Sequence, residues 1–164
     1  MSALIATFFY IGRLPFAPGT FGSLAALPLA YLLHRFGGFP SLVIATGVVF
    51  ALGCWATAQH TKGKAEHDPG EIVIDEVVGQ WIALWPVSGG LWFAGVDPAI
   101  FPYPGWVAAF LLFRLFDIWK PWPVSWADRK ETPLGVMLDD VLAGVMAAVL
   151  VAASAAIAHG YLLK

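Results

Sequence analysis

Five carboxylates lie inside or at the edge of long apolar segments, where a soluble protein seldom places an ionisable side chain. They are Asp75 and Glu76 in IVIDEVVGQWIALW, Asp117 in FLLFRLFDIW, and Asp139 and Asp140 in GVMLDDVLAGVMAAVL. An ionised carboxylate at the centre of a membrane helix costs about 2.5 to 3.5 kcal/mol on insertion scales, so such a group needs a compensating partner. Together, the five acids predict a cation-binding site.

Basic residues accompany one of these acids. Arg114, Asp117 and Lys120 are three apart in the sequence, so a helix would place them on one face. Carboxylates in a chain with a single cysteine favour a hard cation with oxygen ligands, and Mg²⁺ commonly binds one or two carboxylates together with substrate phosphate. We therefore expect Arg114, Lys120 and Arg13 to neutralise phosphate oxygens beside such an ion.

Simpler interpretations of some of these residues stay open. Gly19 and Thr20 follow Pro18 and could present backbone N–H groups and a hydroxyl to an anion at the start of a helix, but Pro-Gly-Thr is also an ordinary turn and helix start. Acids at a helix N-terminus are favoured by the helix dipole alone. Capping needs only one acid per helix, so the two adjacent acid pairs favour a binding site.

The composition indicates a membrane protein. Of the 164 residues, 59% are apolar and 12% are charged, whereas about a quarter of the residues of a soluble domain are charged. The net charge of −2 offers no basic surface for nucleic acid. No linker or long repeat divides the chain, so we expect a single domain over residues 1–164.

Apolar segments predict an all-α, polytopic membrane bundle with about five membrane-embedded helices. The four clearest segments, each near the roughly 20 residues needed to cross a bilayer, are 40–59, 77–95, 105–119 and 141–163. The fifth, 20–33, is shorter and contains Pro28, so we expect it to enter the membrane without crossing it straight. With the Lys-rich and Arg-rich loops in the cytoplasm, the acids and basic residues converge at the cytoplasmic face.

Four sequence blocks resemble the signature blocks of a known enzyme family. FAPGTFGSLAALP, EIVIDEVVGQWIALW, FRLFDIWKPWPVSWAD and GVMLDDVLAG occur in this order within residues 15–144 and look like those of phosphatidylglycerophosphatase A. The resemblance implies an all-helical, multi-pass enzyme of the bacterial inner membrane, with its active site facing the cytoplasm. It implies Mg²⁺-dependent hydrolysis of phosphatidylglycerophosphate to phosphatidylglycerol and inorganic phosphate.

The matched blocks, with the basic residues near them, supply the expected site. The expected metal ligands are Asp75, Glu76, Asp139 and Asp140. The expected catalytic residues are Asp75, Asp139, Asp140 and Lys120. The phosphate is expected to contact Arg13, Thr20, Arg114, Asp117 and Lys120. The sequence is compatible with either water or an aspartate as the nucleophile.

Two other classes of protein stay open as alternatives. An ion or phosphate transporter would also carry acids in its membrane helices, although it would distribute them across the depth of the bilayer rather than at one face. A non-catalytic lipid-binding or assembly protein would need aromatic anchors but not paired acids. Neither alternative explains the acids as well as a phosphatase does.

Overall fold

The computed structural model describes residues 1–63, 69–100, 102–130 and 132–162. The described residues contain helices and no strand, which agrees with the expected all-α class. A short 3₁₀ helix spans Ile11–Arg13, and the α-helices in chain order are α1 (Ser2–Ala6), α2 (Pro18–Thr61), α3 (Ile74–Phe93), α4 (Tyr103–Trp119), α5 (Val124–Asp128) and α6 (Pro133–Leu162).

Helix α2 is interrupted at Gly38. The backbone there is not helical, with φ 65° and ψ −166°, so the 44 residues of α2 form a first arm, 18–37, and a second arm, 39–61. Positive φ with extended ψ is open to glycine but strained for any residue with a Cβ. A Cβ at this position would also overlap the ring of Trp92. Both the backbone and the packing therefore require glycine at this position.

The first arm of α2 runs parallel to α3. Near the start of both helices, Trp81 Nε1 donates a hydrogen bond to the carbonyl oxygen of Ala26 at 2.9 Å. Further along both helices, His34 Nδ1 lies 2.8 Å from Ser88 Oγ. Residue numbers rise together along the two helices, so the start of α2 lies beside the start of α3.

The second arm runs in the opposite direction. Thr46, early in this arm, accepts a hydrogen bond from Trp85 Nε1 at 3.3 Å. Later in the arm, Gly53 packs against Ile74, the first residue of α3. The second arm is therefore antiparallel to α3 and to the first arm, and α2 is a helical hairpin whose turn is at Gly38.

Helices α4 and α6 complete the bundle around α3. Helix α4 is antiparallel to α3, because Gly105 near its start packs against Val87 while Arg114 near its end approaches Glu76. Helix α6 is parallel to α3, since Asp140 lies beside Asp75, and Gly144, one turn later, packs against Gly79. The starts of α2 and α3, the first turns of α6 and the end of α4 thus meet at one end of the bundle, which we call the site end.

The expectation of about five membrane-embedded helices is wrong. In the described part of the chain, two helices are long and apolar enough to cross a membrane, Pro18–Thr61 and Pro133–Ala158. Helix α3 has two acids in its first turn and is buried by the other helices along most of its length. Helix α4 has 17 residues, a length of about 25 Å, which is less than the roughly 30 Å of a bilayer core.

Gly38→Ala should lower the melting temperature of the protein in detergent by several degrees. Alanine there would combine an unfavourable backbone conformation, which costs about 1 to 3 kcal/mol, with overlap of the Trp92 ring. Gly47→Ala is the matched control, because Gly47 lies in the second arm and a Cβ added there would meet no other atom within 4 Å. Thermal denaturation followed by circular dichroism should show little change for the control, and equal losses in both variants would contradict the hairpin.

Candidate functional site

Three acids converge at the site end. One carboxylate oxygen from each of Asp75, Glu76 and Asp140 lies within 4.8 Å of the others. Asp75 and Asp140 are buried, and the side chain of Glu76 is only 14% exposed. Glu76 Oε2 and Asp140 Oδ2 have no hydrogen-bond partner among the described residues. Buried acids this close together are stable only if protons or a cation neutralise part of their charge.

Two adjacent acid pairs have the same local arrangement. The backbone N–H of Glu76 donates to Asp75 Oδ1 at 3.0 Å, and the backbone N–H of Asp140 donates to Asp139 Oδ1 at 2.9 Å. One pair opens α3, and the other lies two turns into α6. One side-chain oxygen of Asp75, and likewise one of Asp139, therefore accepts a hydrogen bond from the backbone N–H of the next residue.

Glycines allow the helices that carry these acids to approach each other. A Cβ on Gly79 would lie 2.6 Å from the carbonyl oxygen of Asp140, and a Cβ on Gly144 would overlap the backbone of Gly79. Each glycine lies four residues after an acid, Asp75 or Asp140, and so one helical turn further along the same face. Close contact of α3 with α6 is what brings the acids of the two helices together.

Arg114 and Asp117 of α4 lie beside the carboxylate cluster. Arg114 Nη1 is 2.5 Å from Asp117 Oδ2 and 4.0 Å from Glu76 Oε1, and all three side chains are largely buried. A Cβ on Gly19 would overlap the Glu76 carboxylate and would lie 3.3 Å from Arg114 Nη1. The first turn of α2, which also contains Thr20, is therefore in contact with the cluster.

Asp139 lies outside the three-acid cluster. Its Oδ2 accepts a hydrogen bond from Lys120 Nζ at 3.0 Å, and Lys120 also pairs with Asp128, which the sequence analysis did not single out. Lys120 ends α4 in the left-handed conformation, with φ 46° and ψ 53°, which is uncommon for lysine. The assignment of Asp139 as a metal ligand stays a prediction.

Lys120 keeps its positive charge in this arrangement. Burial alone would lower the pKa of the ammonium group, but the hydrogen bond to Asp128 and the charge and hydrogen bond of Asp139 outweigh burial and raise that pKa. The ammonium group held between these two acids therefore stays charged at any physiological pH.

Arg13 is engaged elsewhere in the structure. Its Nε lies 3.3 Å from Glu71 Oε2, and its guanidinium group lies 4.9 Å from the centre of the Tyr10 ring. The other Glu71 oxygen lies 2.7 Å from His60 Nε2. The sequence analysis missed this network, because its members come from three separate segments with no common spacing. A phosphate-binding role for Arg13 stays a prediction.

A family model and two relatives that match this chain carry the same name. A family model described as Phosphatidylglycerophosphatase A matches residues 4–155, a range that includes every element of the site end. Phosphatidylglycerophosphatase A of Escherichia coli is 40% identical over 148 residues, which cover 88% of this chain and 78% of that protein. Phosphatidylglycerophosphatase A of Haemophilus influenzae is 40% identical over 150 residues, which cover 90% of this chain and 85% of that protein.

A third relative carries the name of a different lipid phosphatase. A protein of Bacteroides thetaiotaomicron, provisionally named a phosphatidylinositol-3-phosphatase, is 38% identical over 157 residues, which cover 93% of this chain and 92% of that protein. No solved structure matches the chain. The similarity to all three relatives extends over nearly the whole chain.

The metal-free protein should lose stability as the pH rises towards about 8. Burial and the negative charge of Asp140 raise the pKa of Glu76 from 4.5 to about 8. Because the folded state binds this proton more tightly than the unfolded chain, the stabilisation is complete below the unfolded pKa and is lost as the pH rises through the folded pKa. Melting temperatures measured in detergent with a chelator should fall over this range.

Two variants test the source of this pH dependence. Glu76→Gln has no proton to lose, so its melting temperature should vary less with pH. Asp97→Asn, in an exposed loop outside the site, should follow the wild type. A Glu76→Gln variant with the full wild-type pH dependence would show that another group is responsible.

Proposed function

The chain belongs to the phosphatidylglycerophosphatase A family and is a phosphatase, and from this we propose that it hydrolyses phosphatidylglycerophosphate in a Mg²⁺-dependent reaction. The products would be phosphatidylglycerol and inorganic phosphate. The observation that carries the metal requirement is the cluster of Asp75, Glu76 and Asp140 beside the cationic side chain of Arg114. The alternative of an ion or phosphate transporter has no support in the comparisons.

The residues of the cluster fit a hard divalent cation. They offer only oxygen donors, and two of those oxygens are buried without a hydrogen-bond partner among the described residues. Asp75, Glu76 and Asp140 would hold the ion, which prefers carboxylate oxygens and substrate phosphate. When bound, Mg²⁺ would offset the charge of the phosphate oxygens and favour ionisation of the attacking water.

Basic side chains and the start of α2 would bind the phosphate. Arg114 Nε is buried and has no hydrogen-bond partner among the described residues, and a guanidinium group can donate to two phosphate oxygens at once. Asp117, 2.5 Å from Arg114 Nη1, would orient that group. Thr20 and the N–H groups of the first turn of α2 would donate to another oxygen.

The proposed reaction is a displacement at phosphorus. Water attacks in line with the glycerol oxygen, the bond from phosphorus to that oxygen breaks, and the glycerol oxygen takes up a proton from the solvent. Asp139, the acid held by Lys120, would take the proton from the attacking water. Lys120 would stabilise the negative charge that develops on the departing oxygen. Asp75 and Asp140 would contribute to catalysis by holding the ion.

We also propose that the chain is a multi-pass protein of the bacterial inner membrane with its site end at the cytoplasmic face. Two apolar helices of sufficient length and the bacterial relatives support a membrane location. Trp119, Trp122 and Trp126 are exposed next to Lys120, and Trp side chains are enriched at the level of lipid headgroups. A site at that level can reach the phosphate of a lipid that stays in the bilayer.

Asp139→Asn and Asp140→Asn should each reduce phosphate release from phosphatidylglycerophosphate in detergent micelles by about 100-fold or more. The first change removes the proposed proton acceptor, and the second removes a proposed ligand of the ion. Chelation should abolish the wild-type activity, and added Mg²⁺ should restore it. Asp97→Asn serves as the control with unchanged activity. Full activity in either site variant, or activity after complete metal removal, would contradict the proposal.

The choice of lipid can be tested with two substrates in matched micelles. We expect kcat/KM to be at least about tenfold higher for phosphatidylglycerophosphate than for phosphatidylinositol 3-phosphate. This expectation rests on the names of the relatives: two that are 40% identical are phosphatidylglycerophosphatases A, and the one named for the inositol lipid is 38% identical. Equal or higher kcat/KM for the inositol lipid would contradict the proposed substrate.

A further inference from the structure

Gln80 is a buried polar residue with no apparent structural role. Its side chain is fully buried, and neither the amide oxygen nor the amide nitrogen has a hydrogen-bond partner among the described residues. Each unsatisfied buried polar group costs about 1 to 3 kcal/mol. Gln80 also interrupts an otherwise apolar and aromatic run between Glu76 and Ser88. A leucine at this position would serve the packing better.

The position of Gln80 relates it to the carboxylate cluster. It follows Glu76 by four residues, so the two side chains lie on one face of α3, with Gln80 one turn further into the bundle. On this face, Glu76 meets Arg114 and Gly19. Gly79, which immediately precedes Gln80 in the sequence, packs against Asp140. Gln80 therefore lies one helical turn from Glu76, on the face of α3 that carries this member of the cluster.

Unsatisfied polar atoms are concentrated at this place. Eight buried side-chain nitrogen and oxygen atoms lack a hydrogen-bond partner in the described part of the chain, and six of them belong to Glu76, Gln80, Arg114 and Asp140. One of the six, Arg114 Nη1, is in an ion pair with Asp117, and the other five are not in any ion pair described above. Buried polar groups in proteins are nearly always satisfied, so a concentration of exceptions points to a ligand that supplies the missing interactions. Gln80 contributes both an acceptor and a donor to this set.

We propose that Gln80 is a further residue of the cation site, where its amide oxygen acts as a neutral donor alongside Asp75, Glu76 and Asp140. The inference rests on the cation of the proposed function. An amide oxygen is a hard donor like a carboxylate oxygen, but it adds no fourth negative charge to a buried cluster of three. The amide nitrogen can at the same time donate to a carboxylate or phosphate oxygen.

The test is the binding of Mg²⁺ alone to the full-length protein in detergent. Melting temperature is measured while Mg²⁺ is titrated into chelated protein, and the midpoint of the rise reports affinity. Gln80→Leu should raise the midpoint concentration about tenfold. Its melting temperature without metal should be equal to or above that of the wild type, because two unsatisfied polar atoms are removed. If Gln80→Leu binds Mg²⁺ more weakly and is as stable as the wild type without metal, Gln80 is a ligand of the cation and not only a packing residue.

Two further variants sharpen the test. Gln80→Glu keeps the length of the side chain and adds a negative charge, so it should lower the Mg²⁺ midpoint if residue 80 faces the cation. His34→Leu is the control, because His34 is also buried with an unpartnered nitrogen but pairs with Ser88 far from the cluster. Whatever the change in its stability, the Mg²⁺ midpoint of this control should equal that of the wild type.

The outcomes distinguish this inference from the proposed function. A wild-type Mg²⁺ midpoint in Gln80→Leu, or a midpoint that does not fall in Gln80→Glu, overturns the role of Gln80 and leaves the proposed function intact. A wild-type protein that shows no response to Mg²⁺ and releases phosphate in the presence of a chelator overturns the cation itself, and the role of Gln80 with it.

Discussion

Repulsion among carboxylates that are buried together is the constraint on which the site end depends. Asp75, Glu76 and Asp140 come from two helices that approach closely at Gly79, so the packing that stabilises the bundle also forces like charges together. The positive end of the α3 dipole offsets part of this repulsion for the two acids in its first turn. The remainder requires protons, basic side chains or a bound cation.

The turn at Gly38 is far from these acids, but it determines which part of α2 contacts them. Because α2 reverses there, its first arm runs with α3 and its first turn lies against Glu76. A continuous helix of 44 residues could not contact α3 along both of its halves. The hairpin therefore brings the N–H groups at the start of α2 to the site and encloses α3 from two sides. One glycine at the opposite end of the bundle supports the geometry of the site.

The acids and basic residues of the site end stand out in the sequence because they interrupt or border long apolar segments. Glycines four residues after Asp75 and Asp140 permit the close contacts between the helices that carry these acids. The number of membrane-spanning helices could not be predicted in this way, because a helix buried by other helices can be as apolar as one that faces lipid. Helix α3 is such a helix, since the other helices bury most of its length. The partners of Lys120 and the unsatisfied amide of Gln80 depend on contacts between distant segments, which no local pattern encodes.

The charge balance of the site gives an electrostatic reason for a cation. Two basic side chains, Arg114 and Lys120, are surrounded by six acids: Asp75, Glu76, Asp117, Asp128, Asp139 and Asp140. A phosphate monoester would add a charge of about −1.5 to −2. Even with Glu76 protonated, the acids outnumber the basic groups, so a phosphate would be repelled from the protein alone. A divalent ion among three of the acids would offset two of these negative charges, which would leave Arg114 and Lys120 better able to orient the phosphate rather than merely to neutralise the acids.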